Sequence, residues 1–301
     1  MRRTLGALCL GLAALPPASA SSLAFCDPGS ALSAEDKDRL LRFAAVVKAE
    51  LERSDAPLAL VARSGLDLRR IDQRYSHAGV ALRASPETRW AVRQLYYACD
   101  EKLPRLFDQG LAAFLMGTDD ARSGHVSLVF LPAAAAASLE RAALDNARAL
   151  RLLGAEYSAN AYAFGLRYQN CNQWLAELLA AAWSESQDGF DDAQTARGAA
   201  QQWLRAEGYE PTRLAVGWWL MRAAAFVPWL HSDDHPADDL QHNVFRISMP
   251  VALEGFVHSR LPDATRVELC HAEGRVVVHR GWTPLADGCL PGDGDEVLAL
   301  P

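Results

Sequence analysis

The chain lacks the features that mark a membrane-spanning protein or a general binder of polyanions. After residue 20, no stretch of the 301 residues is long and apolar enough to form a transmembrane helix, which needs about 20 consecutive apolar residues. Positive charge is not in excess, because the formal net charge is −7. Internal repeats and long low-complexity linkers are also missing. We therefore expect a globular protein with no transmembrane anchor and no nucleic-acid partner.

Residues 1–20 have the pattern of a secretory signal peptide. Arg2-Arg3 is a basic start, residues 5–15 form an apolar stretch too short to span a bilayer, and Ala18-Ser19-Ala20 is a small-residue cleavage site. The hydrophobic fraction of 50% is ordinary for a globular chain. About 280 residues remain, which is enough to bury a full core. The pattern predicts a periplasmic or secreted protein.

Five cysteines remain after residue 20, and exported proteins tend to pair their thiols. Cys270 and Cys289 flank a predicted hairpin and can pair. Cys26 and Cys99 would then form a second bridge by elimination, which leaves Cys171 as the odd thiol. The alternative is that all five thiols are free, as in exported proteins that use few bridges.

Cys171 lies at what the sequence predicts to be the first position of a helix. Asn170 is a good N-cap, because its side-chain oxygen can accept an unpaired amide N–H of the first turn. Helical spacing of apolar residues follows at Trp174, Leu175, Leu178, Leu179 and Ala182. The positive end of the helix macrodipole favours a thiolate and lowers the thiol pKa below its free value of about 8.5. The position therefore indicates a nucleophile.

A nucleophilic cysteine needs a base, and two histidines occur in similar contexts. His77 opens the strand-like run His77-Ala78-Gly79-Val80, and His125 opens another predicted strand after Ser123-Gly124. Both are candidates for the group that takes the thiol proton.

The segments after His77 predict a strand and two helices. Residues 90–97 are expected to return antiparallel to the His77 strand, with Gln94 on the same face as Val92 and Tyr96 because side chains alternate. Residues 103–116 and the alanine-rich residues 133–153 have apolar residues at helical spacing.

The pairing of His77-Ala78-Gly79-Val80 with Asn170-Cys171-Asn172 resembles the circularly permuted papain-like superfamily. That group includes NlpC-related cell-wall peptidases and lecithin:retinol acyltransferase-like enzymes, and in its permuted members the histidine precedes the cysteine, as here. The longer phrases around both motifs also resemble a family of uncharacterised secreted bacterial proteins, and this second resemblance covers most of the chain.

The resemblance implies an α+β fold in which an antiparallel sheet packs on the cysteine helix, with helical insertions and a C-terminal α/β appendage. The expected organisation is a signal peptide at residues 1–20, a thiol-enzyme core at residues 21–209 and a C-terminal extension at residues 210–301. The resemblance also favours His77 over His125 as the base, because Gly79 and the strand after it match the superfamily pattern.

The resemblance also gives Gln94 the place of the third residue that orients the imidazole. This departs from the histidine or acid that is usual there, because a glutamine can hydrogen-bond the ring but adds no negative charge.

The activity implied is that of a cysteine hydrolase or acyltransferase that needs no cofactor and no metal. Cys171, His77 and Gln94 would be its catalytic residues, and amide bonds of cell-wall peptides its substrate, because many relatives cut them. One alternative is a lipid or acyl-ester hydrolase. Another is a non-catalytic binding module that uses a tryptophan-rich cleft, although packing between helices also explains the tryptophans Trp203, Trp218, Trp219 and Trp229.

A second polar cluster is formed by His231, Asp233, Asp234 and His235. Two histidines four residues apart on a helix can hold zinc when a carboxylate completes the site. However, no glutamate follows His231 as the common metalloprotease pattern requires. Pro236 after the cluster favours a solvated loop, with the nearby His242 on the same surface.

Overall fold

The computed structural model describes residues 32–186, 188–219, 221 and 227–300, so the predicted signal peptide lies outside the described residues. The helices of this part are α1 (Ala34–Arg53), α2 (Leu111–Leu115), α3 (Ala133–Leu144), α4 (Asn146–Arg151), α5 (Cys171–Trp183), α6 (Ala196–Ala206), α7 (Ala237–Gln241) and α8 (Pro250–Arg260). None of them has the length and apolar character that crossing a membrane requires.

The strands fall into one large sheet and two small ones. They are β1 (Leu58–Arg63), β2 (His77–Leu82), β3 (Ala91–Ala98), β4 (Leu103–Gln109), β5 (Gly124–Phe130), β6 (Glu156–Tyr157), β7 (Tyr168–Gln169), β8 (Thr212–Ala215), β9 (Val244–Ile247), β10 (Thr265–Ala272), β11 (Arg275–Arg280) and β12 (Glu296–Ala299). The mixed α+β class expected from the sequence is confirmed.

The large sheet has eight strands in the order β12-β11-β10-β5-β1-β2-β3-β4. Every neighbouring pair in it is antiparallel. Strands β6 and β7 form a parallel pair, and β8 and β9 an antiparallel pair. The segment 210–301, expected as an extension packed on the core, supplies three of the eight strands of the large sheet.

Helices cover both faces of the large sheet. On one face, α1 and α2 bury apolar residues such as Phe43, Val47 and Phe114 against Val61 and Leu128. Burial of each large apolar side chain contributes roughly 1.5–3 kcal/mol. On the other face, α5 contacts β2 and β3 and packs beside α3 and α6. All of α5 from Cys171 to Ala182 is buried, as expected of a helix that is mostly apolar around its circumference.

One sequence prediction about a helix is wrong, and another is confirmed except for a break that it did not include. Residues 103–116 form strand β4 and then the short helix α2, because pairing with β3 across a turn outweighs the helical spacing of the apolar residues. Residues 133–153 are divided at Asp145, whose side chain accepts from the Arg148 N–H and begins a second helix, α4.

The order of β1, β2 and β3 places three chain segments side by side. Arg63 at the end of β1 lies directly opposite His77 at the start of β2, and β3 pairs with β2 on its other side. Helix α5 begins at Cys171 and contacts both β2 and β3. The first residue of α5 therefore lies near this part of the sheet.

Candidate active site

The tip of helix α5 is fixed by the polar side chains that flank Cys171. The Asn170 side chain caps the helix, with its Oδ1 2.7 Å from the Gln173 nitrogen that donates to it. Gln173 Nε2 in turn donates to carbonyl oxygens of the preceding loop, including that of Gly165 at 3.0 Å. Asn172 Nδ2 donates to the carbonyl oxygen of Ser76 at 3.3 Å. These bonds hold the start of α5 against the residue that precedes His77.

A buried carboxylate on α5 fixes the segment that leads to the helix. Glu177 is fully buried, and its Oε2 accepts from Arg197 Nε at 2.9 Å and from Gln169 Nε2 at 2.6 Å. Its Oε1 accepts from Gln201 Nε2 at 2.9 Å. A buried charge is tolerated when its oxygens are paired in this way. Because Gln169 lies two residues before Cys171, the network also restrains the approach to the helix tip.

Cys171 is a free cysteine, and only 7% of it is exposed. The backbone N–H groups of Asn172, Cys171 and Ala78 act on its sulfur, as does the positive charge of Arg63. Burial is the largest influence and raises the pKa of Cys171 to about 12. The helix tip acts in the direction expected from the sequence, but burial outweighs it. The expectation of a lowered thiol pKa is therefore wrong, and Cys171 is a neutral thiol near pH 7.

The ring of His77 is held by two glutamines in series. His77 Nε2 is hydrogen-bonded to Gln94 Oε1, and Gln94 Nε2 donates to Gln109 Oε1 at 2.6 Å. Because the carboxamide oxygen can only accept, this arrangement assigns the proton to Nε2 and leaves the lone pair on Nδ1. The nitrogen free to accept a proton is therefore Nδ1.

Burial also sets the charge of His77. It lowers the pKa of His77 to about 3, with a further lowering from the nearby Arg63 charge and an opposing effect of the Gln94 bond. A neutral imidazole and a neutral thiol therefore coexist at neutral pH. The Ala78 N–H that acts on the Cys171 sulfur belongs to the residue after His77, so the sulfur lies near the start of β2. Within the described residues, no direct hydrogen bond joins the Cys171 sulfur to the His77 ring.

Gly79 explains how Gln94 reaches the histidine. A Cβ at Gly79 would lie 2.8 Å from the carbonyl oxygen of Arg93 and 3.2 Å from the Cβ of Gln94. The missing side chain lets β3 approach β2 closely. The glycine of the His77-Ala78-Gly79 motif therefore lets the two strands pack closely enough for Gln94 to reach His77.

Two residues of the site were missed by sequence reasoning. Gln109 was missed because its segment was predicted to be helical, and only strand pairing turns it toward Gln94. Arg63 was missed because nothing local shows that it is buried. Its one signal is a charged residue that ends an otherwise apolar strand, Leu58-Ala59-Leu60-Val61-Ala62-Arg63.

The rival base His125 lies on the other face of the sheet. Val126 and His77 are both paired with Arg63, so they share a face and His125 points away from it. The His125 Nε2 has no hydrogen-bond partner and is buried. It lies within 4.8 Å of the sulfurs of Cys270 and Cys289.

The disulfide pattern agrees in part with the cysteine count. Cys270 and Cys289 form the predicted disulfide, so the alternative with five free thiols is wrong. Cys99 is disulfide-bonded too, and the partner expected for it, Cys26, lies outside the described residues. In the described part of the chain, the one group of side chains with metal-ligand spacing is His125, Cys270 and Cys289. Its two sulfurs are bonded to each other, so it is no metal site in this form.

The second polar cluster, His231 to His235, lies in a loop and holds it in place through side-chain contacts. His231 stacks on Tyr168 with ring centroids 4.3 Å apart. Asp234 Oδ2 accepts from the Tyr162 N–H at 2.9 Å. His235 is buried and donates from Nε2 to the Asn160 carbonyl oxygen at 2.7 Å. Residues 231–235 form a loop, as expected from the sequence, but part of this loop is buried.

The tryptophans divide into packed and exposed ones. Trp203 packs edge-on against Phe256, with centroids 6.1 Å apart. Trp218 and Trp219 are 66% and 56% exposed. Packing between helices therefore accounts for Trp203 but not for the exposed pair.

One comparison with known proteins gives a match. The family model described as "Uncharacterized protein conserved in bacteria (DUF2145)" matches residues 50–257, which include Arg63, His77, Gln94 and Cys171. No curated protein and no solved structure matches the chain significantly.

Proposed function

The chain belongs to the bacterial family DUF2145, and we propose that it is an exported thiol hydrolase or acyltransferase. Cys171 would be its nucleophile and His77 its general base. The observation that supports this best is the free Cys171 thiol at the tip of α5. The N–H of Ala78 acts on its sulfur, and Ala78 follows a histidine whose ring is oriented by Gln94. A nucleophile, a base and an orienting group on three neighbouring elements form the arrangement that acyl transfer requires.

The first chemical step starts from two neutral groups. His77 Nδ1 accepts the thiol proton of Cys171 while the sulfur attacks the carbonyl carbon of an amide or ester. The new bond joins sulfur to carbon, and the carbonyl π electrons move to the oxygen. Because burial disfavours the charged forms of both residues before substrate arrives, proton transfer accompanies the attack.

The tetrahedral intermediate needs donors for its oxyanion. The N–H groups at the tip of α5, including those of Cys171 and Asn172, are fixed by the Asn170 cap and cost no reorganisation when charge develops. Collapse of the intermediate breaks the bond to the leaving amine or alcohol, which takes the proton from His77 Nδ1. Water or another acceptor then attacks the thioester with His77 again as base.

The apolar cavity beside the helix tip is too small for a long acyl chain. The apolar cavity lined by Ala62, Ala78 and Leu175 is next to the helix tip. It has room for about one water molecule, so it does not receive a lipid chain. Together with the resemblance to cell-wall peptidases, this points to amide bonds of cell-wall peptides, with short acyl esters as the second candidate.

A non-catalytic binding module is the competing function. It is favoured by the exposed Trp218 and Trp219, because aromatic rings on a surface can stack on sugar rings. It is also compatible with the burial of Cys171.

Turnover of candidate substrates separates these functions. The purified chain is incubated with muropeptides and with short acyl esters, and product release is followed by mass spectrometry. We expect cleavage by the unmodified chain, none by Cys171→Ala, and a loss of about 100-fold or more in His77→Ala. His125→Ala should retain activity, because His125 lies beside the Cys270–Cys289 disulfide and its Nε2 has no hydrogen-bond partner. Equal activity in Cys171→Ala would refute the proposal, and binding without cleavage would support the binding module.

A further inference from the structure

Arg63 differs from the other buried arginines in having no carboxylate partner. Of the described arginines, the three other buried ones form ion pairs within 3.1 Å. These pairs are Arg93 with Asp108, Arg197 with Glu177, and Arg266 with Glu254 and Glu268. Arg63 is 8% exposed, its Nε is buried without a partner, and no described carboxylate lies within 4.0 Å of it. Burial of an uncompensated charge is costly, so this arginine calls for an explanation.

The surrounding chain makes room for the Arg63 guanidinium. Its Nη1 donates to the carbonyl oxygen of Gly117, and its central carbon lies 5.1 Å from the centre of the Phe114 ring. A Cβ at Gly117 or at Gly65 would collide with the guanidinium nitrogens. Two glycines and an aromatic ring thus hold the cation in one place.

The place in which Arg63 is held is beside the candidate catalytic pair. Arg63 is directly opposite His77 in the strand register, and Phe114 also contacts the His77 ring, with centroids 5.7 Å apart. The charge of Arg63 acts on both His77 and Cys171. The other titratable groups whose charges act on Arg63 or Cys171 are Tyr96, Tyr157 and Asp119. None of these is a cation.

We propose that Arg63 is the counter-ion for the negative charge that develops on the Cys171 sulfur, an inference that rests on the proposed thiol chemistry. Arg63 is a positioning residue, because it acts through space on the sulfur and on the imidazole. In most thiol enzymes an imidazolium would be the natural partner of the thiolate. Here the cation is a guanidinium, which is charged near pH 7 although burial lowers the pKa of Arg63 to about 10, and the imidazole stays free to accept a proton.

This arrangement has a consequence for the proton that His77 receives. An imidazolium beside Arg63 is repelled by it, so the proton on Nδ1 is passed readily to the leaving group. Together with burial, which is the larger cause, the same repulsion keeps His77 neutral between turnovers. One fixed cation therefore favours the thiolate and disfavours the imidazolium.

The test measures ionisation of Cys171 without a substrate. The rate of Cys171 alkylation by iodoacetamide is measured at pH 8, where Arg63 is charged because its lowered pKa is about 10, for the unmodified chain, Arg63→Met and Arg63→Lys. We expect Arg63→Met to slow alkylation by about tenfold or more, with Arg63→Lys between the two. The midpoint of the NMR titration of His77 should move upward in Arg63→Met. A purely structural role would change neither readout.

Arg93→Met is the matched control, because Arg93 is also a buried arginine on an adjoining region of the sheet but faces away from His77. It should leave the alkylation rate and the His77 midpoint unchanged. If Arg63→Met does not fold, Gly117→Ala displaces the guanidinium while keeping its charge, and it must also slow alkylation. An unchanged alkylation rate and an unchanged His77 midpoint in the folded variants would overturn the proposal. Because neither readout needs turnover, failure of this inference and failure of the proposed hydrolase activity are distinguishable.

Discussion

Gln94 Oε1 accepts a hydrogen bond from Nε2 of His77, and Gln109 accepts from the Gln94 amide nitrogen. The second bond fixes which end of the Gln94 carboxamide faces the ring. The first bond then fixes the imidazole tautomer with its lone pair on Nδ1. A glutamine does this without adding negative charge, so the ring is oriented but not made more basic by a carboxylate.

Gln94→Glu should make His77 more basic. A carboxylate hydrogen-bonded to Nε2 favours the imidazolium, so we expect the pKa of His77 to rise from about 3 by about 1–3 units. NMR titration of the His77 ring protons measures this shift. Gln109→Glu is the control, because its charge would be one residue further from the ring. A His77 pKa that does not move in Gln94→Glu would show that the two side chains are not bonded in solution.

Gly79→Ala should weaken the contact between β2 and β3. The added Cβ meets the Arg93 carbonyl oxygen at 2.8 Å, and relief of such overpacking costs about 1–3 kcal/mol. Urea unfolding measures the loss, and slower turnover should accompany it because Gln94 is moved away from His77.

Gly255→Ala is the matched substitution for this experiment. Gly255 is on α8, and a Cβ added there would have nothing within 4 Å of it, so the alanine should stabilise the helix by about 0.5–1 kcal/mol. Equal effects of the two substitutions would contradict the close approach of β3 to Gly79.

Acid should destabilise the fold well above the pH at which carboxylates are protonated. Burial lowers the pKa of His77 to about 3 and the pKa values of His125 and His271 to about 4, against an ordinary value of 6.5. Between pH 6.5 and 4 the unfolded chain therefore binds more protons than the folded chain. The free energy of unfolding falls as pH falls, by at most about 1.4 kcal/mol per pH unit for each histidine.

Urea unfolding at pH 7 and pH 5 measures this dependence. His125→Phe should reduce the difference in free energy of unfolding between the two pH values by the part that one buried histidine contributes. The substitution His242→Gln, at an exposed position, should leave this difference unchanged. The same free energy of unfolding at both pH values would show that these histidines are not buried in their neutral form.

The elements that carry the site were largely predictable, because their signals are local. Asn170 caps a helix that starts at Cys171, and His77 begins a strand, as the spacing of polar and apolar residues indicates. The returning strand with Gln94 was predictable for the same reason. Each of these features is decided by neighbours in the sequence.

The features that were missed depend on the three-dimensional fold. The helical spacing of residues 103–116 gave no sign that β3 would supply a strand partner, so Gln109 was not recognised. The direction of the Cys171 pKa was wrong because the helix tip is a local effect, whereas burial comes from the strands and helices packed around it. Arg63 was not identified because only the assembled sheet shows that its charge is buried and unpaired.

The central claim is that the Cys171 thiol and the His77 imidazole act together in acyl transfer. Intact-protein mass spectrometry after brief mixing with an activated acyl ester tests it most directly, because it detects the thioester itself. We predict one acyl group on Cys171 in the unmodified chain that neutral hydroxylamine removes as a thioester, none at this position in Cys171→Ala, and acylation slowed by about 100-fold in His77→Ala. Acylation of Cys171 at the same rate in His77→Ala, or acylation only at other residues, would contradict the account.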